Sequence, residues 1–157
     1  QDIYYHLSLE EESMDVPQAI AASAVVTAMK INAKAIVCLS TTGRTAQLMS
    51  SFRPKMPIVA VTHQLDPLNR LELLWGIQTF HIRQYRSVEE AVHEVESILL
   101  KTKIVETGDR IVLTLGTPVA QGAKTNTVRV YTVTGSVEEI DEKTLPLRCR
   151  SVEPHIS

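Results

Sequence analysis

The stretch Ala35-Ile36-Val37-Cys38-Leu39-Ser40-Thr41-Thr42-Gly43-Arg44-Thr45-Ala46-Gln47-Leu48-Met49 decides the fold. Its first five residues form an unbroken apolar run, the composition of a strand buried on both faces of a parallel sheet. Hydroxyl side chains and Gly43 interrupt the run, and helical spacing resumes at Ala46, Leu48 and Met49. Strand, polar glycine turn, helix is the opening of a βαβ unit.

Upstream, Asp15 and Pro17 are start signals for a helix over residues 16–30. Val16, Ala19, Ile20, Ser23, Val26 and Thr27 recur at helical spacing, which predicts an inner face of small and β-branched side chains packed closely on a flat surface. Downstream the unit repeats. Residues 57–61, after the Arg53-Pro54 turn, read as a second buried strand, 65–74 as a helix and 76–82 as a third strand. Ser87 caps a helix over residues 88–101 whose stripe is Val88, Ala91, Val92, Val95, Ile98 and Leu99, and Ser87 with Glu90 predicts a capping box. A fourth strand follows the Thr107-Gly108-Asp109 turn at 110–115. Residues 127–133 alternate, as a strand with one solvated face or an antiparallel edge does. The connection before it is too short for a crossover helix, so this last strand is antiparallel. The expected class is α/β: a three-layer α/β/α fold with a five-stranded mixed sheet, mostly parallel.

A chain of 157 residues fits one domain. We assign residues 1–135 to it and read 136–157, acidic and then proline-bearing without clear periodicity, as a loosely structured tail. At 44% hydrophobic and 22% charged the composition is that of a globular protein. Sixteen basic against eighteen acidic residues give a net charge of −2, so no global field draws the chain to nucleic acid or an anionic membrane. No apolar run approaches the roughly 20 residues that cross a bilayer. Cys38 and Cys149 read as free thiols of a reducing compartment, and the expected location is cytoplasmic. The chain opens at Gln1 rather than Met, which suggests a processed protein or an excised piece of a longer one.

Chemistry is expected first at Ser40, Thr41, Thr42, Gly43, Arg44 and Thr45, which end a buried strand and start a helix. There the helix amide groups and dipole favour an anion. Two readings fit equally: a phosphate cradle of hydroxyls around Gly43 with Arg44 adding charge, or an ordinary cap and turn. The segment is neither a Walker loop nor G-x-G-x-x-G. A second glycine-bearing loop, residues 116–127, also follows a strand end, where Gly122 gives backbone freedom and Lys124 a second positive group; its plainer reading is a hairpin connection. His6, His63, His81, His93 and His155 show no metal spacing, and no nucleophile meets a base, so neither a metal site nor a catalytic residue is expected. Glu10-Glu11-Glu12 and Glu89-Glu90 read as solvated helix faces.

These motifs in order, from Ile36 to Ala46, then Phe52-Arg53-Pro54, Pro57-Ile58-Val59-Ala60-Val61-Thr62, Leu74-Trp75-Gly76-Ile77, Gly108-Asp109 and Thr125-Asn126-Thr127, closely resemble the carboxy-terminal domain of pyruvate kinase. The resemblance implies a regulatory and oligomerisation module of an enzyme that transfers phosphate from phosphoenolpyruvate to ADP in glycolysis. It implies that catalysis, Mg²⁺ and K⁺ belong to a catalytic barrel of the same polypeptide, with no cofactor in this chain and no kinase activity from it alone. It also implies a homo-oligomer, a tetramer in the parent family, and an effector phosphate held by the hydroxyls of Ser40, Thr42 and Thr45, the backbone at Thr41 and Gly43, and Arg44. Residues 116–125 match the mobile effector loop, but the Trp-Arg-Pro-Gly pattern of eukaryotic members is replaced by Gly116-Thr117-Pro118-Val119-Ala120-Gln121-Gly122. Ala91 stands where a basic residue grips a second phosphate. The implied ligand is therefore a monophosphate, a sugar phosphate or AMP, rather than fructose 1,6-bisphosphate. The alternatives are a stand-alone phosphate sensor and an assembly module that binds nothing.

Overall fold

The computed structural model describes residues 15–39, 43–62, 76–117 and 125–135. In chain order its elements are α1 (Val16–Lys30), β1 (Ala35–Leu39), α2 (Arg44–Ser51), β2 (Ile58–Thr62), β3 (Ile77–His81), α3 (Val88–Lys101), β4 (Arg110–Leu115) and β5 (Thr127–Thr132). The expected helix over 65–74 and the tail 136–157 lie outside the described residues.

The strands form one five-stranded sheet in the order β3-β2-β1-β4-β5. β1 runs parallel to β2 and β4, with Cys38 opposite Ala60 on one side and Thr114 on the other. β3 runs parallel to β2, and β5 is antiparallel to β4, with Val130 opposite Val112. All residues of β1 and β2 are buried, as their unbroken apolar runs require. Alternate side chains serve opposite faces. Ile36 and Cys38 pack with α1 and α2, while Ala35, Val37 and Leu39 pack with α3. Three layers result, with a core on each side of the sheet, and the expected class is the one observed.

α1 is turned away from its expected orientation. The buried residues are Ala21, Ala22, Ala24, Val25 and Ala28, whereas Val16 is 59% exposed, Ala19 and Ser23 are exposed, and Ile20, Val26 and Thr27 are only half-buried. The helix is apolar almost all round, so periodicity does not fix its rotation. Alanine does, because the smallest side chains let the helix come closest to the sheet.

The helix ends also differ in detail from expectation. The complete capping box is at α1, where Asp15 Oδ1 accepts from Gln18 N–H at 2.9 Å and Gln18 Oε1 accepts from Asp15 N–H at 3.1 Å. At α3 only half of the expected box forms. Ser87 Oγ accepts from Glu90 N–H at 3.1 Å, but Glu90 Oε2 takes the N–H of Arg86, one residue further back, at 3.3 Å. The C-termini of α1 and α3 close through left-handed Asn32 (φ 52°) and Lys103 (φ 58°). Ala33 N–H then reaches Ala28 O at 2.9 Å and Ile104 N–H reaches Leu99 O at 3.0 Å, the 6→1 bond that satisfies otherwise unpaired end carbonyls.

Candidate functional site

The order of the sheet selects one end of it. From β1 the chain proceeds to β2 and β3 on one side, and β4 enters on the other side of β1, so the direction of winding reverses between β1 and β4. Open α/β sheets take ligands outside the carboxyl ends of the strands at such a reversal. The chain leaves β1 at Leu39 and begins α2 at Gly43; it leaves β4 at Leu115 and returns to β5 through Thr125 and Asn126. The described ends of both segments singled out in the sequence, residues 43–45 and residues 116, 117 and 125–127, belong to this end.

Gly43 is buried and left-handed, with φ 75° and ψ 0°, and is the N-cap of α2. Only glycine adopts this conformation without steric cost from a side chain. Gly43 itself has no side chain to cap α2, in contrast to Asp15 at α1 and Ser87 at α3. Arg44, the first residue of α2, extends its guanidinium to α1, with Nη2 2.8 Å from Asp15 Oδ2. Thr45 is 2% exposed, and its hydroxyl donates to Thr125 Oγ1 at 3.0 Å. That bond joins the two glycine-bearing segments, although it engages the hydroxyl that the resemblance assigned to a phosphate. Ser40, Thr41, Thr42, Gly122 and Lys124 lie outside the described residues, as do His6, His63, His155, Cys149 and Glu10-Glu11-Glu12.

Asn126 is a positioning residue that the sequence reading quoted in a motif without giving it a task. Its Oδ1 accepts from Thr117 N–H at 2.9 Å and from Thr127 Oγ1 at 2.8 Å, and its Nδ2 donates to Thr117 O at 2.8 Å. Its backbone N–H donates to Leu115 O at 3.0 Å. The base of the second loop is thus clasped by one amide side chain, independently of what the loop carries. Below the site the floor is apolar. Cys38 is buried, its thiol donating to Met49 Sδ at 3.2 Å, and burial pushes its pKa up to about 12 despite a lowering contribution from Thr114. It is a packed thiol, not a nucleophile.

Glu96 was also missed. It is 1% exposed on α3 and receives Tyr131 Oη–H, Thr134 N–H at 2.7 Å, Thr134 Oγ1–H at 2.9 Å and Gly135 N–H at 2.9 Å. Burial disfavours its charge, but these hydrogen bonds outweigh burial and hold the carboxyl below its usual range. The signal was present in the spacing, since Glu96 follows Val92 by four and precedes Leu99 by three. Its role is to bolt α3 to the end of β5. Glu89 is exposed, as expected, and pairs with Arg129 at 2.9 Å. Among the described residues no group of three or more His, Cys, Asp or Glu is placed to hold a metal ion, and no helix is long and apolar enough to cross a membrane.

Residues 18–131 match the family model of the pyruvate kinase alpha/beta domain. The chain is 31% identical over 124 residues to pyruvate kinase of Geobacillus stearothermophilus, covering 79% of this chain and 21% of that protein. It is 35% identical over 124 residues to pyruvate kinase of Bacillus licheniformis, with the same coverage of 79% and 21%. In structure it is similar to a crystal structure of pyruvate kinase from Cryptosporidium parvum, with a TM-score of 0.73 at 27% identity over 83% of this chain and 26% of that one. The chain spans about a fifth of the length of the curated relatives it matches.

Proposed function

The chain belongs to the pyruvate kinase family as its carboxy-terminal alpha/beta domain, and from that premise we propose that it is a regulatory and assembly module which binds a phosphorylated effector at residues 40–45. On this reading it works in the cytoplasm, joined to a catalytic barrel that transfers phosphate from phosphoenolpyruvate to ADP. Mg²⁺ and K⁺ serve that barrel, and this chain performs no phosphoryl transfer. The observation that carries the effector reading is the Thr45–Thr125 hydrogen bond of 3.0 Å, because it draws the segments after β1 and β4 together at the winding reversal. The position of α2 supports it, since its N-terminus follows the carboxyl end of β1, where a helix dipole favours an anion. The ligand class is a monophosphate, a sugar phosphate or AMP. Subunit contact is proposed through the outward face of α1 and the β5 edge, where Val16 and Val130 are the large exposed apolar residues among those described.

A second reading, an assembly module without ligand, is favoured by the same Thr45 hydroxyl being buried against Thr125 and by Arg44 being held by Asp15. Calorimetric titration of the chain with AMP, ribose 5-phosphate, glucose 6-phosphate and fructose 1,6-bisphosphate, with inorganic phosphate as control, separates the two. Saturable binding of an organic monophosphate, lost in the folded Ser40→Ala/Thr45→Ala double mutant, is the expected result. Flat titrations with a folded protein leave the assembly reading.

A further inference from the structure

Between α2 and the sheet one buried donor faces two acceptors. Cys38 of β1, Met49 of α2 and Thr114 of β4 are all buried, and Thr114 is 0% exposed. Cys38 lies opposite Thr114 in the parallel register. Val112, two residues earlier on β4, packs with Cys38 and Met49 on the α1 and α2 side, so the Thr114 side chain serves that same face. The Cys38 thiol donates to Met49 Sδ at 3.2 Å. Thr114 Oγ1 is left with no hydrogen-bond partner among the described residues. The two side chains are nonetheless within reach of each other: burial raises the pKa of the thiol, and the Thr114 hydroxyl partly offsets that rise. A thiol carries one proton and serves one acceptor at a time, and a buried hydroxyl left unpaired is destabilising.

We propose that the Cys38 thiol is a two-position switch between α2 and β4, bonded to Met49 Sδ when α2 is seated on the sheet and to Thr114 Oγ1 when α2 draws back. The first position ties α2 to β1 and leaves the Thr114 hydroxyl unpaired. The second satisfies the hydroxyl and releases Met49. Seating α2 and pairing Thr114 are therefore alternatives, and what is lost in one is recovered in part in the other. A shift of α2 is then easier than the same shift over a wholly apolar floor, where no hydrogen bond is regained. Methionine suits the contact, because its unbranched, polarizable side chain adapts to a changing gap. α2 has only eight residues, and it carries Thr45, whose hydroxyl meets Thr125 at 3.0 Å. The position of the thiol and the closure of the segments after β1 and β4 are thus coupled through one short helix, whose two placements any group that touches α2 differently in each would bias.

The S–H stretching band, followed by Raman spectroscopy on the full chain, distinguishes the positions. Cys149→Ser leaves Cys38 as the one thiol and serves as the parent. In that parent Thr114→Val keeps only the sulfur acceptor, Met49→Leu keeps only the hydroxyl, and the double variant keeps neither. The three supply the reference bands for a thiol bonded to sulfur, bonded to oxygen and free. Valine keeps the shape of threonine and leucine nearly the volume of methionine, and thermal melts show that each variant is folded. The expected parent band is a main sulfur-bonded component with a minor oxygen-bonded one that grows on warming below the melting temperature. Thr114→Val is also expected to melt higher by about 2–4 °C, because it removes an unpaired buried hydroxyl. A Met49→Leu band that coincides with that of the double variant overturns the proposal, since the thiol then does not turn to Thr114. So does a parent band that neither splits nor shifts on warming, a result that stands even where a variant fails to fold. A folded Thr114→Val protein that melts lower than the parent overturns it as well, because the hydroxyl is then already satisfied while α2 is seated.

Discussion

At the scale of single residues, the polar groups that matter structurally are those whose partners come from far along the chain. Glu96 and Gly135 are 39 positions apart, and Thr45 and Thr125 are 80 apart. Glu96 is the more consequential, because a buried carboxylate satisfied by several donors leaves all of them unpaired when it is lost. Glu96→Ala should cost about 3 kcal/mol in urea unfolding at neutral pH. Glu96→Gln, which keeps the shape and one acceptor, should cost less. The pH dependence separates charge from packing. The folded carboxyl titrates below its ordinary value of 4.5, so its stabilisation is fully present above that value and is lost as pH falls through the folded pKa. Wild type should lose stability on the acid side by an amount that Glu96→Gln does not, and identical acid profiles for the two proteins would contradict the assignment. None of this was legible beforehand. The spacing put Glu96 on the buried face, but Tyr131, Thr134 and Gly135 become its partners only once β5 lies against α3.

At the scale of elements, the strands were legible and the rotation of α1 was not. The run Ala35-Ile36-Val37-Cys38-Leu39 admits one placement, since a strand buried on both faces needs no choice of side. The helices α2 and α3 declare their inner faces by contrast with polar residues at the remaining positions. α1 offers no such contrast, and its β-branched residues drew attention from the alanines that touch the sheet. The corrected face makes a paired prediction. Ala24→Leu forces a large side chain into the contact with the sheet and should destabilise the fold by roughly 1–3 kcal/mol. Ala19→Leu, on the outward face, should change stability by under about 0.5 kcal/mol. Thermal unfolding of both variants decides it: a larger loss from Ala19→Leu would return α1 to the orientation that the periodicity implied, and equal losses would contradict the corrected face. The candidate site divides in the same way. Its position followed from a strand end and a glycine, whereas the Asp15 and Asn126 contacts depended on which neighbours the winding supplied.

At the scale of the whole molecule, the mixed sheet ranks its own strands. β1 and β4 are each hydrogen-bonded on both sides and covered by helices on both faces, whereas β5 pairs with β4 alone among the described strands and is half-exposed along its length. Amides of β1 and β4 therefore exchange with solvent only when the fold opens globally, and alternate amides of β5 point away from β4 and need no opening. The antiparallel entry of β5 has a further effect: it brings Thr125, Asn126 and Thr127 back to the carboxyl end of the parallel strands, where the site is expected, and leaves Val130 exposed on the edge strand of the described sheet. Regulation and assembly are thus proposed for two parts of one strand and its approach. Hydrogen exchange followed by mass spectrometry or NMR should find residues 35–39 and 111–114 slowest, and the outward amides of 127–132 faster by several orders of magnitude in dilute solution. Raising the protein concentration supplies the contrast. If β5 and α1 form a subunit contact, protection of 127–132 should rise with concentration while that of β1 stays fixed. Concentration-independent fast exchange along β5 would argue against self-association through that edge, and slow exchange already present at high dilution would contradict the placement of β5 as an open edge.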